Sequence, residues 1–257
     1  MAIEVYQFPC LNDNYGFLVH DSDTGATTSI DTPEAEAINA ALAEKGWTLT
    51  AIWNTHHHYD HAGGNESLKA QWNCEIIGAA LDAERIPGID RTVSEGDVVS
   101  LGNASATVLE VPGHTSGHIA FHFVEDQVVF VGDTLFALGC GRLFEGTPEQ
   151  MWSSLQKLIA MPAQTTVYCA HEYTRANAAF ALSVEPDNEA LVARAQKIDE
   201  LRAQGLPTVP TTIGEEMDSN PFVRPASTHL REVLGMADGN ADDVAVFAET
   251  RRRKDNF

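Results

Sequence analysis

Residues 56–61, His-His-His-Tyr-Asp-His, place four histidines and one aspartate in six consecutive positions of a chain that has ten histidines altogether. Imidazole nitrogens and carboxylate oxygens are donors that bind zinc and other divalent metal ions. Alternate side chains of an extended segment project to the same side, so His56 and His58 are expected to lie together while His57 points away. Burying so many imidazoles without a metal would cost stability. The segment therefore predicts a metal site.

Other candidate ligands each follow a predicted strand. The short β-branched and aromatic runs at 50–55, 107–111, 128–131 and 166–170 are typical of strands. The residues that follow these runs and could bind metal are His56, His58, Asp60, His61, His114, Asp133 and His171. Loops at the carboxyl ends of strands rest on a rigid sheet and can present ligands from several directions. We therefore expect these side chains to meet at one metal centre.

The number of candidate ligands indicates two metal ions. A catalytic zinc ion typically has three protein ligands and one water molecule. Five histidines and two aspartates exceed that need. They suit two ions about 3.5–4 Å apart that share a carboxylate. His20, His122 and His229 are interpreted as hydrogen-bonded polar residues, whereas His57 and His118 are left open between supporting the ligands and lying exposed.

Length and charge limit the class of protein. A chain of 257 residues with 44% hydrophobic residues is long enough to bury a substantial core. The formal net charge of -21 would repel nucleic acid and anionic lipid surfaces. The first residues show no basic n-region and no apolar run approaches the ~20 residues needed to cross a bilayer, so we expect a soluble protein made without a secretion signal. We expect a cytoplasmic protein that acts as a monomer on a small molecule, without nucleic-acid or membrane partners.

Cysteine usage agrees with this location. The four cysteines, Cys10, Cys74, Cys140 and Cys169, are scattered and include no C-x-x-C pair. Such spacing is typical of a reducing compartment and does not suggest a disulfide framework.

The pattern along the chain predicts two domains. Strand signals dominate to about residue 170, and helical patterns follow at 174–182, 188–204, 228–234 and 242–253. We therefore predict an α/β catalytic domain over residues 1–172 and a helical domain over residues 173–257.

Two helices in the first part have N-terminal capping signals. Thr32 precedes the helical pattern Ala35–Lys45, and Thr147 precedes the pattern that includes Met151 and Leu155.

The chain must also turn after the histidine segment. Gly63 and Gly64 would permit unusual dihedral angles there.

Several motifs together resemble a known superfamily. The segment Thr55–His61 matches the T-H-x-H-x-D-H motif of the metallo-β-lactamase superfamily. The accessory segments Gly113–His118, Gly132–Phe136 and His171–Thr174 occur in the expected order. The resemblance implies a four-layer αββα sandwich with a dinuclear metal site at one edge.

A narrower resemblance covers essentially the whole chain. The chain is similar to the glyoxalase II, or hydroxyacylglutathione hydrolase, family at Leu11–Tyr15, Gly139–Thr147, Asn220–Arg224 and Arg251–Phe257. The family hydrolyses the thioester of S-D-lactoylglutathione to glutathione and D-lactate in methylglyoxal detoxification. The resemblance therefore implies a thioester hydrolase with a smaller, C-terminal helical domain that binds the glutathione part of the substrate.

The same resemblance assigns the site. One metal ion would be held by His56, His58 and His114, and the other by Asp60, His61 and His171, with Asp133 bridging. The metals would be zinc, with iron or manganese also compatible with these donors. Asp60 and Asp133 would also be catalytic, because Asp60 could orient the attacking hydroxide.

Glutathione recognition is implied at five further positions. The family's substrate-binding positions correspond here to Arg142, Phe144, Tyr173, Arg251 and Lys254. Many members have tyrosine where this chain has Phe144, so any hydroxyl contact at that point is lost. Arg and Lys side chains pair well with the carboxylates of a tripeptide. On sequence alone, the basic segment near residue 252 could equally be a solvated helix end.

Other functions remain as alternatives. A glutathione persulfide dioxygenase, a lactonase and a metallo-nuclease share the histidine motif, and a non-catalytic metal-binding module represents a different class. The helical C-terminal part disfavours the first two, and the acidic charge disfavours the nuclease. The number of candidate ligands leaves open coordination positions for water, which disfavours a module without catalysis.

Overall fold

The computed structural model of the protein describes residues 3–237 and 239–257. It divides into two compact units. The amino-terminal unit comprises Met1–Glu110 and Thr115–Gly132, and the carboxy-terminal unit comprises Val111–His114 and Asp133–Phe257. The chain passes between the two units after residues 110, 114 and 132. The predicted domain boundary at residue 172 stays a prediction.

The amino-terminal unit contains a mixed sheet and an antiparallel set of strands. Its strands are β1 (Ile3–Cys10), β2 (Asn14–Asp21), β3 (Ala26–Ile30), β4 (Ala51–Trp53), β5 (Glu75–Ala79), β6 (Arg91–Val93), β7 (Val98–Leu101), β8 (Ala104–Glu110), β9 (Ile119–Phe123) and β10 (Val128–Gly132). The first sheet has the order β1-β2-β3-β4-β5-β6, antiparallel up to β3 and parallel from β3 to β6. Strands β7 to β10 pair with their sequence neighbours in antiparallel fashion.

Helices cover one face of the first sheet. The helices of this unit are α1 (Ala35–Lys45), α2 (Tyr59–Ala62) and α3 (Asn65–Trp72). Ile38 and Leu42 of α1 and Leu68 of α3 pack with Leu18 of β2 and Ile52 of β4 in one buried apolar cluster. Burial of this kind provides the main favourable free energy that fixes helices on a sheet.

Aromatic side chains fill the space between the first sheet and strands β9 and β10. The ring centroid of Trp53 lies 5.3 Å from that of Phe121 and 5.8 Å from that of Phe123. Phe17 and Phe130 meet edge to face at 5.6 Å. Because β4 carries Trp53 on this face, the start of the histidine segment is held on a packed sheet.

The carboxy-terminal unit is mainly helical. Its elements are β11 (Leu135–Phe136), β12 (Gly139–Cys140), α4 (Pro148–Ile159), β13 (Thr166–Cys169), α5 (Thr174–Val184), α6 (Glu189–Ala203), β14 (Thr211–Thr212), α7 (Ile213–Ser219), α8 (Thr228–Leu234) and α9 (Asp243–Asp255). Strand β11 pairs with β12, and β13 pairs with β14. Within the described part of the chain, no helix combines the length and apolar character needed to span a bilayer.

The predicted helices are present, but one predicted cap is wrong. Thr147 forms the expected capping box with Gln150 at the start of α4. In contrast, α1 begins after Glu34 without a side-chain cap. The Thr32 hydroxyl instead donates to Oδ1 of Asn65 at 2.6 Å. A tertiary partner has therefore replaced the local capping bond that the sequence suggested.

Candidate metal centre

The candidate ligands follow strands as predicted. His56 lies beyond the end of β4 and His114 beyond the end of β8, while Asp133 directly follows β10 and His171 lies two residues after β13. His56, His61, His114 and His171 are all buried. Imidazoles at these positions have lost most of their contact with bulk water, so their polar atoms need protein or metal partners.

The alternation predicted for the histidine segment is confirmed. Nε2 of His56 and Nδ1 of His58 lie 3.0 Å apart. His57 turns the other way, and its Nδ1 lies 3.0 Å from Oδ2 of the buried Asp82. His56 and His58 thus share one side of the segment, and His57 contributes to its anchoring.

Asp31 orients His61. Oδ2 of Asp31 lies 2.8 Å from Nδ1 of His61. Because the carboxylate can only accept, Nδ1 carries the proton and Nε2 of the neutral ring keeps a lone pair. That Nε2 atom lies 3.6 Å from Oδ2 of Asp60. The ring is therefore held with its electron pair toward a second carboxylate, as in carboxylate-supported metal ligands.

Thr55 orients His56 in a similar way. The Thr55 hydroxyl donates to Oδ2 of Asp31 at 2.8 Å, and its oxygen lies 3.1 Å from Nδ1 of His56. Since the hydroxyl proton is used on Asp31, the oxygen accepts from the imidazole. Asp31 also accepts the backbone N–H of Thr55 at 2.7 Å. One buried carboxylate thereby sets the orientation of two candidate ligands.

The carboxy-terminal unit contains a second set of donors around Asp133. Nε2 of His114 lies 3.4 Å from Oδ2 of Asp133, and Nε2 of His171 lies 3.3 Å from Oδ1. The Arg142 carbonyl lies 2.8 Å from Nδ1 of His114 and can only accept, so this ring also carries its proton on Nδ1. Its Nε2 lone pair consequently faces a carboxylate oxygen.

The donor set fits divalent metal ions. In both units, electron pairs of imidazole Nε2 atoms face carboxylate oxygens, and such pairs repel unless a proton or a cation lies between them. Protonating several closely spaced imidazoles would accumulate positive charge, whereas a metal ion binds the neutral rings. The nitrogens and carboxylates of each unit, considered separately, are therefore suited to binding divalent metal ions.

Asp60 differs from the other candidate ligands in its exposure. Its carboxylate is 40% exposed, and Oδ2 accepts a hydrogen bond of 3.1 Å from Nδ2 of Asn14. Asn14 also donates to the Asp60 backbone carbonyl at 3.2 Å. An anchored but accessible carboxylate can contact both a metal ion and a water molecule.

The turn after the histidine segment does not need unusual dihedral angles. Gly63 has φ -65° and ψ -24°, and Gly64 has φ -85° and ψ -9°, values that any residue adopts. Space is the actual constraint, because a Cβ on Gly63 would lie 2.5 Å from the Tyr59 carbonyl oxygen. The conformational freedom of these glycines is therefore not used, and close packing of the short helix α2 explains the glycine at position 63.

Two predicted substrate-binding aromatics lie against metal-ligand candidates. Tyr173 stacks on the His171 ring with a centroid distance of 4.7 Å and an interplanar angle of 3°. Phe144 meets the His114 ring edge-on at 5.2 Å and is 63% exposed. Each aromatic therefore combines a ligand-facing side with a solvent-accessible surface.

The predicted cationic residues differ in accessibility. Arg142 is exposed, and Lys254 is half-buried with Nζ donating to the Ala176 carbonyl at 3.0 Å. Burial lowers the pKa of Lys254, and the charges of Arg251 and Arg142 lower it further. Arg251 is only 5% exposed and donates to the Cys140 carbonyl at 2.9 Å. Direct substrate contact by these residues stays a prediction.

Sequence reasoning missed the residues that orient the ligands. Asp31 and Asn14 were not selected, because a single carboxylate or amide near a strand end carries no distinctive local pattern. His118, which was left open, is buried and stacks on His56 at 4.6 Å. His20 behaves as interpreted: its Nδ1 lies 2.8 Å from the Thr27 hydroxyl.

The cysteines are unsuited to being ligands or nucleophiles. Burial raises the pKa of Cys140 to about 11 and that of Cys169 to about 12. Thiols with such pKa values stay protonated at neutral pH, whereas metal binding and nucleophilic attack need the thiolate. All four cysteines are unpaired with one another, as the spacing predicts.

Comparison with protein families divides the chain into two matches. The sequence model of the Metallo-beta-lactamase superfamily matches residues 23–171. The model described as Hydroxyacylglutathione hydrolase C-terminus matches residues 172–257. The predicted α/β fold class, a metallo-β-lactamase sandwich with a smaller helical domain, is confirmed.

Full-length relatives agree with both matches. The hydroxyacylglutathione hydrolase of Maricaulis maris is 56% identical over 253 residues, which are 98% of each chain. That of Rhodospirillum rubrum is 57% identical over 256 residues, covering 100% of this chain and 99% of the relative.

Solved structures are more distant. ETHE1 from Myxococcus xanthus is 26% identical with a TM-score of 0.67, and the match covers 99% of this chain and 98% of that one. TTHA1623 in a di-iron-bound form is 25% identical with a TM-score of 0.62, covering 85% and 99% respectively.

Proposed function

The chain belongs to the hydroxyacylglutathione hydrolase family of the metallo-β-lactamase superfamily, and we propose that it hydrolyses the thioester of S-D-lactoylglutathione to glutathione and D-lactate. Relatives that are more than half identical over nearly the whole chain are named hydroxyacylglutathione hydrolase. The observation that carries the proposal is the oriented set of imidazoles and carboxylates. These relatives support the hydrolase and not the dioxygenase alternative.

We propose that both ligand sets together hold two divalent ions, with zinc as the first expectation. We propose the assignment that the family resemblance implies, with one ion held by His56, His58 and His114 and the other by Asp60, His61 and His171. Asp133 is the donor proposed to bridge, because its two oxygens already face two different imidazoles. A related protein of this fold binds two iron ions, which supports the number but leaves the metal's identity to measurement.

The proposed chemistry divides between the metals and the chain. When bound, two cations would lower the pKa of a water molecule toward ~7 and polarise the thioester carbonyl. Asp60 would accept a hydrogen bond from the attacking water, since its partly exposed carboxylate is held in place by Asn14. The leaving thiolate resembles a cysteine with pKa about 8.5, so it can depart without a general acid.

Charge and aromatic surface support glutathione binding in the carboxy-terminal unit. Arg142 and Lys254 contribute positive charge in a protein of net charge -21, and glutathione brings two carboxylates. Tyr173 and Phe144 offer exposed ring faces for the peptide. At the Phe144 position, contact must be made by the ring alone, because the chain has no hydroxyl there.

The monomeric state and the cytoplasmic location stay predictions.

A paired measurement tests the proposal. We expect the purified protein to abolish the ultraviolet absorbance of the thioester in S-D-lactoylglutathione, at a rate that follows its metal content. Metal analysis of the same preparation supplies the stoichiometry. A sample with two equivalents of metal and no thioesterase activity would support a non-catalytic metal-binding module. Oxygen consumption with glutathione persulfide would instead favour the dioxygenase.

A further inference from the structure

A short hairpin joins the candidate bridging carboxylate to the candidate substrate loop. Strands β11 and β12 pair Leu135 with Cys140 and Phe136 with Gly139. Asp133 lies just before this hairpin, and Arg142 just after it. The position of the hairpin therefore determines the backbone positions of Asp133 and Arg142.

The two ends of the hairpin are packed against each other. Gly141 donates its backbone N–H to the Thr134 carbonyl at 3.1 Å. A Cβ on Gly141 would lie only 1.9 Å from the Asp133 carbonyl oxygen. Beyond it, the Arg142 carbonyl accepts from His114. A shift of the hairpin would consequently displace Asp133, His114 and Arg142 together.

The tip of the hairpin is inserted among helices of the carboxy-terminal unit. Leu138 has a positive φ of 59°, a conformation that favours glycine, yet its side chain is fully buried. It packs with Ala178 and Ala181 of α5 and with Leu191 and Ile198 of α6. A leucine in a left-handed conformation persists only where its surroundings hold it.

Side chains from the helical segments bind the backbone of the tip. Glu216 Oε2 accepts the Leu138 N–H at 2.9 Å. Nδ2 of Asn220 donates to the Gly139 carbonyl at 3.0 Å and to Glu216 Oε2 at 2.8 Å. Nδ2 of Asn177 donates to the Ala137 carbonyl at 3.1 Å. Consecutive backbone groups of the tip are thus matched by polar partners supplied from the helical segments.

The two oxygens of Glu216 have different partners. Oε2 faces the hairpin, whereas Oε1 accepts from the Arg194 guanidinium at 2.5 Å and from the Thr211 hydroxyl at 2.7 Å. The Glu216 side chain is fully buried. A carboxylate in that position needs a cationic partner, because an unpaired buried charge is strongly unfavourable. The Arg194 pairing therefore keeps the second oxygen available for Leu138.

We propose that Glu216 is a positioning residue of this enzyme. It acts through the hairpin Leu135–Cys140 on the metal ligand Asp133 and on the substrate cation Arg142, and it touches neither substrate nor metal. This role rests on the proposed function for its catalytic consequence. Its structural part, the hold on the hairpin, can be measured without any substrate.

Glu216→Gln is the test variant, and Glu185→Gln is its matched control. The glutamine amide has one accepting oxygen, which should stay with the cationic Arg194. Its NH2 group would then face the Leu138 N–H, and two donors cannot form a hydrogen bond with each other. Glu185 is also buried at 2% exposure, accepts from Arg224 at 3.2 Å and from Ser227 at 2.7 Å, and lies elsewhere in the helical part. Both substitutions remove a buried charge paired with one arginine and one hydroxyl.

Three measurements on the metal-loaded protein distinguish positioning from general destabilisation. For Glu216→Gln we expect faster hydrogen–deuterium exchange across residues 134–142, about tenfold faster metal release to a chelator, and a higher KM. Glu185→Gln should lower the unfolding midpoint in urea to a similar extent. It should leave hairpin exchange, metal release and KM at wild-type values.

Two outcomes would overturn the proposal: wild-type exchange of the hairpin in Glu216→Gln, or equal changes in exchange and KM in the Glu185 variant. If Glu216→Gln does not fold, Asn220→Ala carries the test, because it removes the bond to the Gly139 carbonyl and leaves the Arg194 pair intact. If the wild-type protein lacks thioesterase activity, the proposed function fails. Hairpin exchange and metal release would still decide whether Glu216 positions the hairpin.

Discussion

The two sets of candidate ligands are built in different ways. In the amino-terminal unit, His56, His58 and His61 come from one six-residue segment, and two of them, His56 and His61, are oriented through the side chain of Asp31. In the carboxy-terminal unit, the donors are far apart in sequence and one of them, His114, is oriented by a backbone carbonyl. The first set depends mainly on local spacing, whereas the second depends on how distant segments fold.

This difference determines what can perturb each set. A side-chain support such as Asp31 is removed by one substitution. A carbonyl support is removed only by moving the backbone, and here the backbone belongs to the loop that follows the hairpin Leu135–Cys140. That hairpin contains Leu138 in a left-handed conformation, which costs about 1–2 kcal/mol for a residue with a Cβ. The helical segments that bury Leu138 must offset this cost.

The largest effect is expected from Asp133→Ala. Loss of the carboxylate leaves the electron pairs of His114 and His171 without a common partner, so metal content and kcat should fall together, kcat by at least about a hundredfold. Metal analysis and thioester kinetics on the same sample would check this. Glu125→Ala, at an exposed acidic position near β10, serves as the control and should retain both. Full metal content with low kcat would contradict the bridging role.

Asp31→Asn should have a smaller effect, confined to the first set. Asp31 has φ 59°, which asparagine tolerates well, so the backbone should be conserved. The amide accepts poorly at two sites, and metal affinity should drop by roughly 10- to 100-fold. Competition with a chelator would measure the affinity. Asn73→Asp makes the reverse exchange at an exposed left-handed residue and should leave metal affinity unchanged. Equal losses in both variants would refute an orienting role for Asp31.

Lys254→Ala should separate substrate binding from metal binding. We expect KM to rise about tenfold, or about 1.4 kcal/mol, with kcat and metal content retained, because the proposed role of this cation is to pair with a substrate carboxylate and not to support the metal ligands. Arg252→Ala is the matched control, since Arg252 is 65% exposed and pairs with Glu249. Kinetics over a range of substrate concentrations would check the prediction. A fall in kcat at unchanged KM would refute the assignment of Lys254.

The lowered pKa of Lys254 predicts how KM should depend on pH. Burial and neighbouring arginines hold it below the usual lysine value of 10.5, so the cation is lost as pH rises through that lowered pKa. KM of the wild-type protein should therefore begin to rise at a lower pH than an exposed lysine would give. Lys254→Ala should lose this part of the pH dependence.

Much of the fold followed from the sequence because its signals are local. The helix Ala35–Lys45 and the capping box at Thr147 occur as predicted, since periodic apolar residues and capping bonds involve neighbours along the chain. Thr32 shows the limit of such reasoning: its hydroxyl had a local use, but Asn65 offered a better-placed partner. The sequence suggested conformational freedom at Gly63, whereas its actual constraint is the close approach of the Tyr59 carbonyl oxygen.

The sequence by itself determined which donor atoms this protein has, the alternation that puts His56 and His58 on one side, and the family to which it belongs. Only the tertiary structure decided which nitrogen of each ring keeps its electron pair, because that choice depends on acceptors such as Asp31 and the Arg142 carbonyl that are distant in sequence from the rings they orient. The hydrogen bond from the hairpin to Glu216 likewise could not be predicted from the sequence. Its donor, Leu138, lies 78 residues away and uses a backbone N–H that every residue but proline possesses.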